Sequence, residues 1–323
     1  MQSTLTGHKL RTALAALAIA TAAALGALQS ADPATARPAA DTTTTPAAPA
    51  AVSPDAPHRG TVALARTPGH RTAHDAGRDR AVAALKEARA TGHRTAPGVA
   101  APTHNWWGVF PRSGTHDGIT ATHSVDPAYR VANSQNFTYA PTTKAQNSCI
   151  EVVTAYWSAG AEIWAWDWCS DPGGPAKTLP VNADFRAKYT TTTDGLLTYG
   201  VQLSKDAGSG NSWSAYLYNQ RSAQWELLYR QSGRDRSALD HGWDIFEIYA
   251  TVNPSTGTGH YCTEARNTVF DSRSIQLRAN GSWQPATPAD SPWTSQNPNG
   301  RDFLCPALKF LKAGANDHYT VRQ

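Results

Sequence analysis

The first hundred residues contain no tryptophan, tyrosine, phenylalanine or cysteine. A core cannot close without large side chains, so the folded part is expected to begin near residue 100. Charge is also scarce, at 17% of residues, and the formal net charge of +4 owes much to the N-terminal segment. The remainder is close to neutral, which argues against nucleic acid as a partner. There is no CxxC pair, no His/Cys zinc spacing, no HExxH, no GxSxG and no glycine-rich phosphate loop. These absences speak against zinc and nucleotide chemistry and against a nucleophile elbow, and no metal or organic cofactor is expected.

One apolar run is present, near the N-terminus. His8, Lys9 and Arg11 precede an uncharged Ala/Leu stretch from Thr12 to Leu28, and Ala34-Thr35-Ala36 follows. A basic start, a short apolar run and a small-x-small exit describe a secretory signal peptide over residues 1–36. The run is short and only mildly apolar for a membrane span. Removal of this peptide would leave a protein with no membrane segment. Residues 37–57 are Ala, Pro and Thr with few large apolar side chains, which suits a disordered linker. Asp79 to Ala90 reads as one short helix, capped by Asp79 and stopped by Gly92. Residues 37–100 as a whole read either as a flexible stalk or as a pro-segment removed after export.

Residues 101–323 hold all eleven Trp and all four Cys. Apolar residues alternate here with a period of two, and Gly, Pro, Asn, Asp and Ser punctuate the chain about every ten residues. Strands are expected at Cys149–Trp157, Glu162–Cys169, Phe185–Thr192, Leu197–Lys205, Ser212–Asn219, Gln224–Tyr229, Gly242–Val252 and Ser274–Arg278. A short helical turn is expected at Pro306–Lys312. The fold class is therefore all-β, one antiparallel jelly-roll (concanavalin-like) β-sandwich. Four cysteines in an exported chain suggest two disulfides. Pairing of sequence neighbours, Cys149 with Cys169 and Cys262 with Cys305, is the expected connectivity.

Two constellations could carry chemistry. Side chains two apart on a strand share a face, so Glu162, Trp164, Trp166 and Trp168 look one way. Such a row is either core or a groove that stacks on a ligand, because each buried indole N–H needs a partner. The second constellation is a pair of glutamates inside otherwise apolar strands. Glu151 shares a face with Val153, Ala155 and Trp157, and Glu247 with Trp243, Ile245 and Tyr249. Apolar surroundings desolvate a carboxylate and favour its protonated form. Two such groups sharing a proton would suit hydrolysis of peptides in acid, or of glycosides.

The order of these pieces resembles a known arrangement. Ile150-Glu151-Val152 leads into Trp164-Ala-Trp166-Asp-Trp168-Cys169, then Tyr199–Asp206, Trp213–Asn219 and Ile245-Phe-Glu247-Ile-Tyr249. Over residues 148–280 this resembles the neprosin-type domain of secreted glutamic peptidases, and more loosely the eqolisin type. The resemblance implies an exported β-sandwich with a pro-segment, acting in acid without a cofactor. It implies Glu151 and Glu247 as the catalytic carboxyls, and Trp164, Trp166 and Tyr249 as groove lining. Trp168 and Trp243, on the same faces, complete the substrate-binding candidates.

Three readings thus stand side by side: an acid-acting glutamic endopeptidase, a glycan-binding module with a Trp-lined face, and a non-catalytic inhibitor or structural protein. The partner would be an extracellular polypeptide or glycan, met by a monomer. The peptidase reading requires the two carboxyls to lie about one water apart.

Overall fold

The computed structural model describes residues 52–67, 102–134, 136–169, 174–208, 210–231 and 241–323. The signal peptide expected over residues 1–36 and the helix expected at Asp79–Ala90 both lie outside the described residues. The strands, in chain order, are β1 (His58–Thr61), β2 (Thr103–Val109), β3 (Gly118–Ser124), β4 (Phe137–Lys144), β5 (Ile150–Trp157), β6 (Gly160–Asp167), β7 (Gly174–Pro180), β8 (Thr190–Thr193), β9 (Leu196–Lys205) and β10 (Trp213–Asn219). There follow β11 (Gln224–Arg230), β12 (Trp243–Ala250), β13 (Val252–Asn253), β14 (Thr258–Gly259), β15 (Phe270–Ala279), β16 (Ser282–Pro285), β17 (Lys309–Ala313) and β18 (His318–Arg322). Among the described residues, two short α-helices interrupt them, α1 (Ala183–Tyr189) and α2 (His260–Glu264), the second running into a 3-10 turn at Ala265–Asn267.

The chain is all-β, as its periodicity predicts, and apart from the short β13–β14 ladder its described strands form two packed sheets. The larger sheet runs β1-β11-β10-β9-β3-β15-β18-β17, with β8 on β9 and β16 on β15. The smaller runs β2-β12-β4-β5-β6-β7. Alternation sorts the side chains. Ile150, Val152 and Tyr156 of β5, Ile163 and Ala165 of β6, and Phe246 and Ile248 of β12 join Ile119, Val201, Leu203, Ala215 and Leu217 in the core between the sheets. Polar pairs also span this core, among them Thr154 of β5 with Tyr199 of β9, 2.8 Å apart. His123 of β3 and Asp244 of β12 are both fully buried, with Nε2 and Oδ2 2.9 Å apart. The opposite face of the smaller sheet carries a second, aromatic cluster: Phe137, Tyr139, Val153, Ala155, Trp157, Trp164, Trp166 and Tyr249.

Two local expectations change. Phe185–Thr192 is not one strand, because Asn182 caps α1 by accepting from the Phe185 amide. Phe185 and Tyr189, four apart, are both buried. Only the β-branched run after them is extended, as β8. Pro306–Lys312 is likewise not a helical turn over its length, since its last four residues open β17, which pairs with β18. Strands β2, β3, β4 and β7 are additions. β3 and β4 are buried almost throughout, so the alternation that signals a half-exposed strand is weak in them.

The folded unit also reaches further N-terminal than residue 101. β1 adds to the larger sheet as a parallel edge strand on β11. Val62 is buried, and the fully buried Trp225 donates its indole N–H to the Ser53 carbonyl. Small residues and prolines suffice here because the large side chains come from the sheet beneath.

Both disulfides join sequence neighbours as expected, Cys149–Cys169 and Cys262–Cys305, with Cα–Cα distances of 5.4 and 5.3 Å. The loops they close span 20 and 43 residues, which chain entropy alone values at about 3 and about 4 kcal/mol.

Candidate functional site

The face of the smaller sheet turned away from the core carries both glutamates. Glu151, on β5, is 1% exposed. Its Oε1 accepts from Thr142 Oγ1 at 2.8 Å and Trp243 Nε1 at 2.9 Å, and its Oε2 accepts from Trp168 Nε1 at 2.9 Å. These three donors are uncharged, and the fully buried Lys144 stands opposite Glu151 on β4, its ammonium 5.0 Å from the Trp243 ring centroid. The Cys149–Cys169 disulfide closes the β5–β6 hairpin beside this site, and the Trp168 amide donates to the Cys149 carbonyl at 2.8 Å. The covalent link therefore fixes Trp168 over Glu151. Asp167 faces the same disulfide, accepting from the Cys169 amide and from Tyr229 OH. With the two sulfurs bonded to each other, this group offers no metal ligand set.

Glu247, on β12, is 4% exposed. Its Oε1 lies 2.5 Å from His104 Nε2 and accepts from Tyr249 OH at 2.7 Å. His104 stacks on Tyr249, with centroids 4.2 Å apart and an interplanar angle of 10°. Its side chain is 31% exposed, so the imidazole connects the buried carboxyl to solvent. A carboxylate behind a histidine is the arrangement that sets the imidazole tautomer and stabilises its protonated form in general-base chemistry.

Aromatic contacts run between the two glutamates. Trp243 meets Trp168, Trp168 meets Trp166, and Trp166 meets Trp164. Trp164 meets Tyr139, and Tyr139 meets Tyr249. The expected sharing of one face by Trp164, Trp166 and Trp168 holds. Trp164 is 0% and Trp166 2% exposed, with only Trp168 partly accessible. The Trp164 indole donates to Glu162 Oε2 at 2.7 Å.

The register separates the carboxyls along that face. Glu151 stands opposite Lys144, which stands opposite Trp243. Glu247 stands opposite Tyr139, which stands opposite Ala155. The two glutamates are thus two strands apart, roughly 10 Å, and offset by four residues, roughly 13 Å along the strand. Their partners draw them apart as well. Glu151 is held toward Trp243, at the start of β12, while Glu247 is held toward Tyr249 and the β2 edge. The sheet places both on one surface without placing them about one water apart.

Position 104 escaped the sequence reading. His104 and Trp106 alternate with Asn105 and Trp107 along β2, a period-two signal. Only the β2–β12 register, which sets His104 opposite Tyr249, shows what the histidine does. Beyond the other end of the face, His116 accepts from the Gln146 amide at 3.2 Å. Burial, and then the Lys144 charge, lower its pKa from 6.5 to about 4.

No family model matches the chain, and no curated protein matches it in sequence. Among solved structures it overlaps scytalido-glutamic peptidase bound to a peptide-based transition-state analogue, at 12% identity and a TM-score of 0.43. It also overlaps SCP-B, a member of the eqolisin family of peptidases, in complex with the tripeptide Ala-Ile-His, at 12% identity and a TM-score of 0.38. Each overlap covers 68% of this chain and 98% of the other.

Proposed function

We propose that the protein is an exported hydrolase of polypeptides, working on the outer face of its six-stranded sheet with Glu151 and Glu247 as its proton-handling groups. One observation carries this reading: two carboxyls, each almost wholly buried, face a single aromatic surface, Glu247 on an imidazole that reaches solvent and Glu151 among hydroxyl and indole donors with the buried Lys144 opposite it. Burying a carboxylate costs several kcal/mol unless well compensated, so a purely structural sheet has little reason to hold two. Desolvated, specifically partnered ionisable groups gather where protons are moved.

The two settings suggest different roles. Glu247 orients His104, whose accessible imidazole can take a proton from an attacking water. Glu151, gripped by three donors beside Trp168, suits a group that stabilises charge or supplies a proton to a leaving amine. Given their separation, the shared-proton pair expected from the sequence is not formed, and the two centres act independently. A glycan-binding face has less support, because stacking on a sugar needs open indoles and two of the three are buried. Two disulfides agree with an oxidising, extracellular setting.

The purified protein, incubated with a denatured protein substrate from pH 2.5 to 7, tests this reading beside Glu151→Gln and Glu247→Gln. Loss of cleavage in both variants, with the fold intact, supports two working carboxyls. Loss in one alone assigns the chemistry to that centre. Absence of cleavage by the parent protein at every pH would overturn the proposal.

A further inference from the structure

Lys144, the last residue of β4, is fully buried. A lysine in such a place is rare unless paired, because an isolated ammonium is costly to take out of water. The backbone compensates part of that cost. Nζ donates to the His241 carbonyl at 2.8 Å and to the Ala145 carbonyl at 3.0 Å. The turn into β12 is shaped for this contact, since a Cβ on Gly242 would lie 2.7 Å from the Lys144 carbonyl oxygen and 3.3 Å from His116 Nε2. The ammonium is thereby fixed in place.

The register gives it a counter-charge. Lys144 stands opposite Glu151 on β5 and opposite Trp243 on β12. Residues opposite one another in an antiparallel ladder share a face, with Cβ atoms about 5 Å apart. Nζ lies 5.0 Å from the Trp243 ring centroid, and the same indole donates to Glu151 Oε1 at 2.9 Å. Cation, indole and carboxyl thus form one compact group.

The other ionisable side chains nearby are engaged elsewhere. Asp244 turns inward to His123, and Asp167 accepts from Tyr229 and the Cys169 amide. Asp117 pairs with Arg278, and Asp290 accepts from Thr287. His241 lays its ring against Phe110 and Trp243. Trp166, opposite Glu151 on β6, carries no charge. His116 feels the ammonium, for its pKa is lowered from 6.5 to about 4 by burial and next by Lys144.

Two effects compete at Glu151. Burial favours the protonated carboxyl, whereas a facing cation and hydrogen bonds donated to the carboxyl oxygens favour the carboxylate. Three donors at 2.8–2.9 Å and one fixed ammonium stand on the second side. We propose that Lys144 is the positioning residue of the Glu151 centre, its ammonium keeping Glu151 a carboxylate, so that Glu151 accepts a proton or stabilises positive charge and does not serve as the acid. The proposal rests on the reading of Glu151 as a proton-handling group and selects one of the two roles given to it above.

The test is a carboxyl NMR titration of the full chain labelled at glutamate, the Glu151 signal being identified by its loss in Glu151→Gln. In Lys144→Met, which keeps the bulk of the side chain and loses the charge, the Glu151 midpoint is expected to rise by about one pH unit or more, the usual effect of removing an opposite charge. An unmoved midpoint would overturn the proposal. Cleavage of a denatured protein gives a second readout. The acid limb of the pH profile should rise together with the NMR midpoint, with KM nearly unchanged. A lower kcat at every pH with the limb unmoved would show that Lys144 only packs, and would overturn the proposal too. A parent protein that cleaves nothing removes the peptidase reading, while the titration still decides whether Lys144 sets the charge on Glu151. Should Lys144→Met not fold, Lys144→Met/Glu151→Gln decides: recovery of the fold supports the pairing, and failure of the double variant overturns it.

Discussion

The two faces of the six-stranded sheet are both buried, but by different means. Toward the larger sheet, β5, β6 and β12 present Ile150, Val152, Ile163, Ala165, Phe246 and Ile248, with ionisable side chains limited to pairs such as His123–Asp244 and Tyr229–Asp167. Toward the outside, the same strands present Glu151, Glu162 and Glu247 among Trp and Tyr. The inner face gains stability from apolar area removed from water. The outer face spends some of it, since each carboxyl there has to be compensated by indole, hydroxyl or imidazole groups. One residue of register therefore separates an apolar packing surface from one that carries carboxyls.

Substitutions on the two faces should fail in different ways. The largest effect is expected from Glu247→Gln or Glu151→Gln, with cleavage falling about 10²- to 10⁴-fold, the usual range for a lost acid or base. The melting temperature should hardly move. Equal losses of activity and stability would mean that the outer glutamates are structural. On the inner face, Phe246→Ala should do the reverse. It opens a cavity worth about 3–5 kcal/mol, read from denaturant unfolding, while the fraction that remains folded keeps its specific activity.

Breaking Cys149–Cys169 tests where the two faces are tied together. The double Cys149→Ala/Cys169→Ala variant should lose about 3 kcal/mol, and it should also loosen Trp168 over Glu151. An unchanged melting temperature would show that this hairpin needs no covalent closure.

The smallest of these effects concerns acid. His116 has its pKa lowered from 6.5 to about 4, first by burial and then by Lys144. A histidine whose folded pKa is depressed favours the folded state while neutral. Its contribution is complete above about pH 6.5 and is lost as pH falls toward 4. That contribution is at most about 3 kcal/mol at 1.36 kcal/mol per unit. His116→Gln should flatten the fall in melting temperature over this window, and an identical slope would remove His116 as the cause. Such a protein would work in acid with a narrowed margin at the Lys144 end of the sheet.

Much of the fold was legible in the sequence. Alternation located β5, β6, β9, β10, β11 and β12 and put the three Trp of one strand on one side, because the strand period is a local property of the backbone. The disulfide pairs followed from neighbour spacing. Less legible were β3 and β4, whose burial on both faces erases alternation, and α1, whose signal was a single Asn182 cap and a Phe185/Tyr189 spacing. The N-terminal segment at 52–67 was invisible because its core contacts belong to Trp225, Gln202 and Gly200, more than a hundred residues away.

By itself, the sequence determined that this is a β-protein with two disulfides expected and two glutamates on apolar strands, and it carried the expectation of export. Only the tertiary structure decided which strands are neighbours. That choice set His104 beside Glu247, Thr142 and Trp243 around Glu151, and two strands and four residues between the carboxyls. The reason is physical: the alternation of faces is written into each strand, but register is settled by long-range packing between segments that carry no local record of one another.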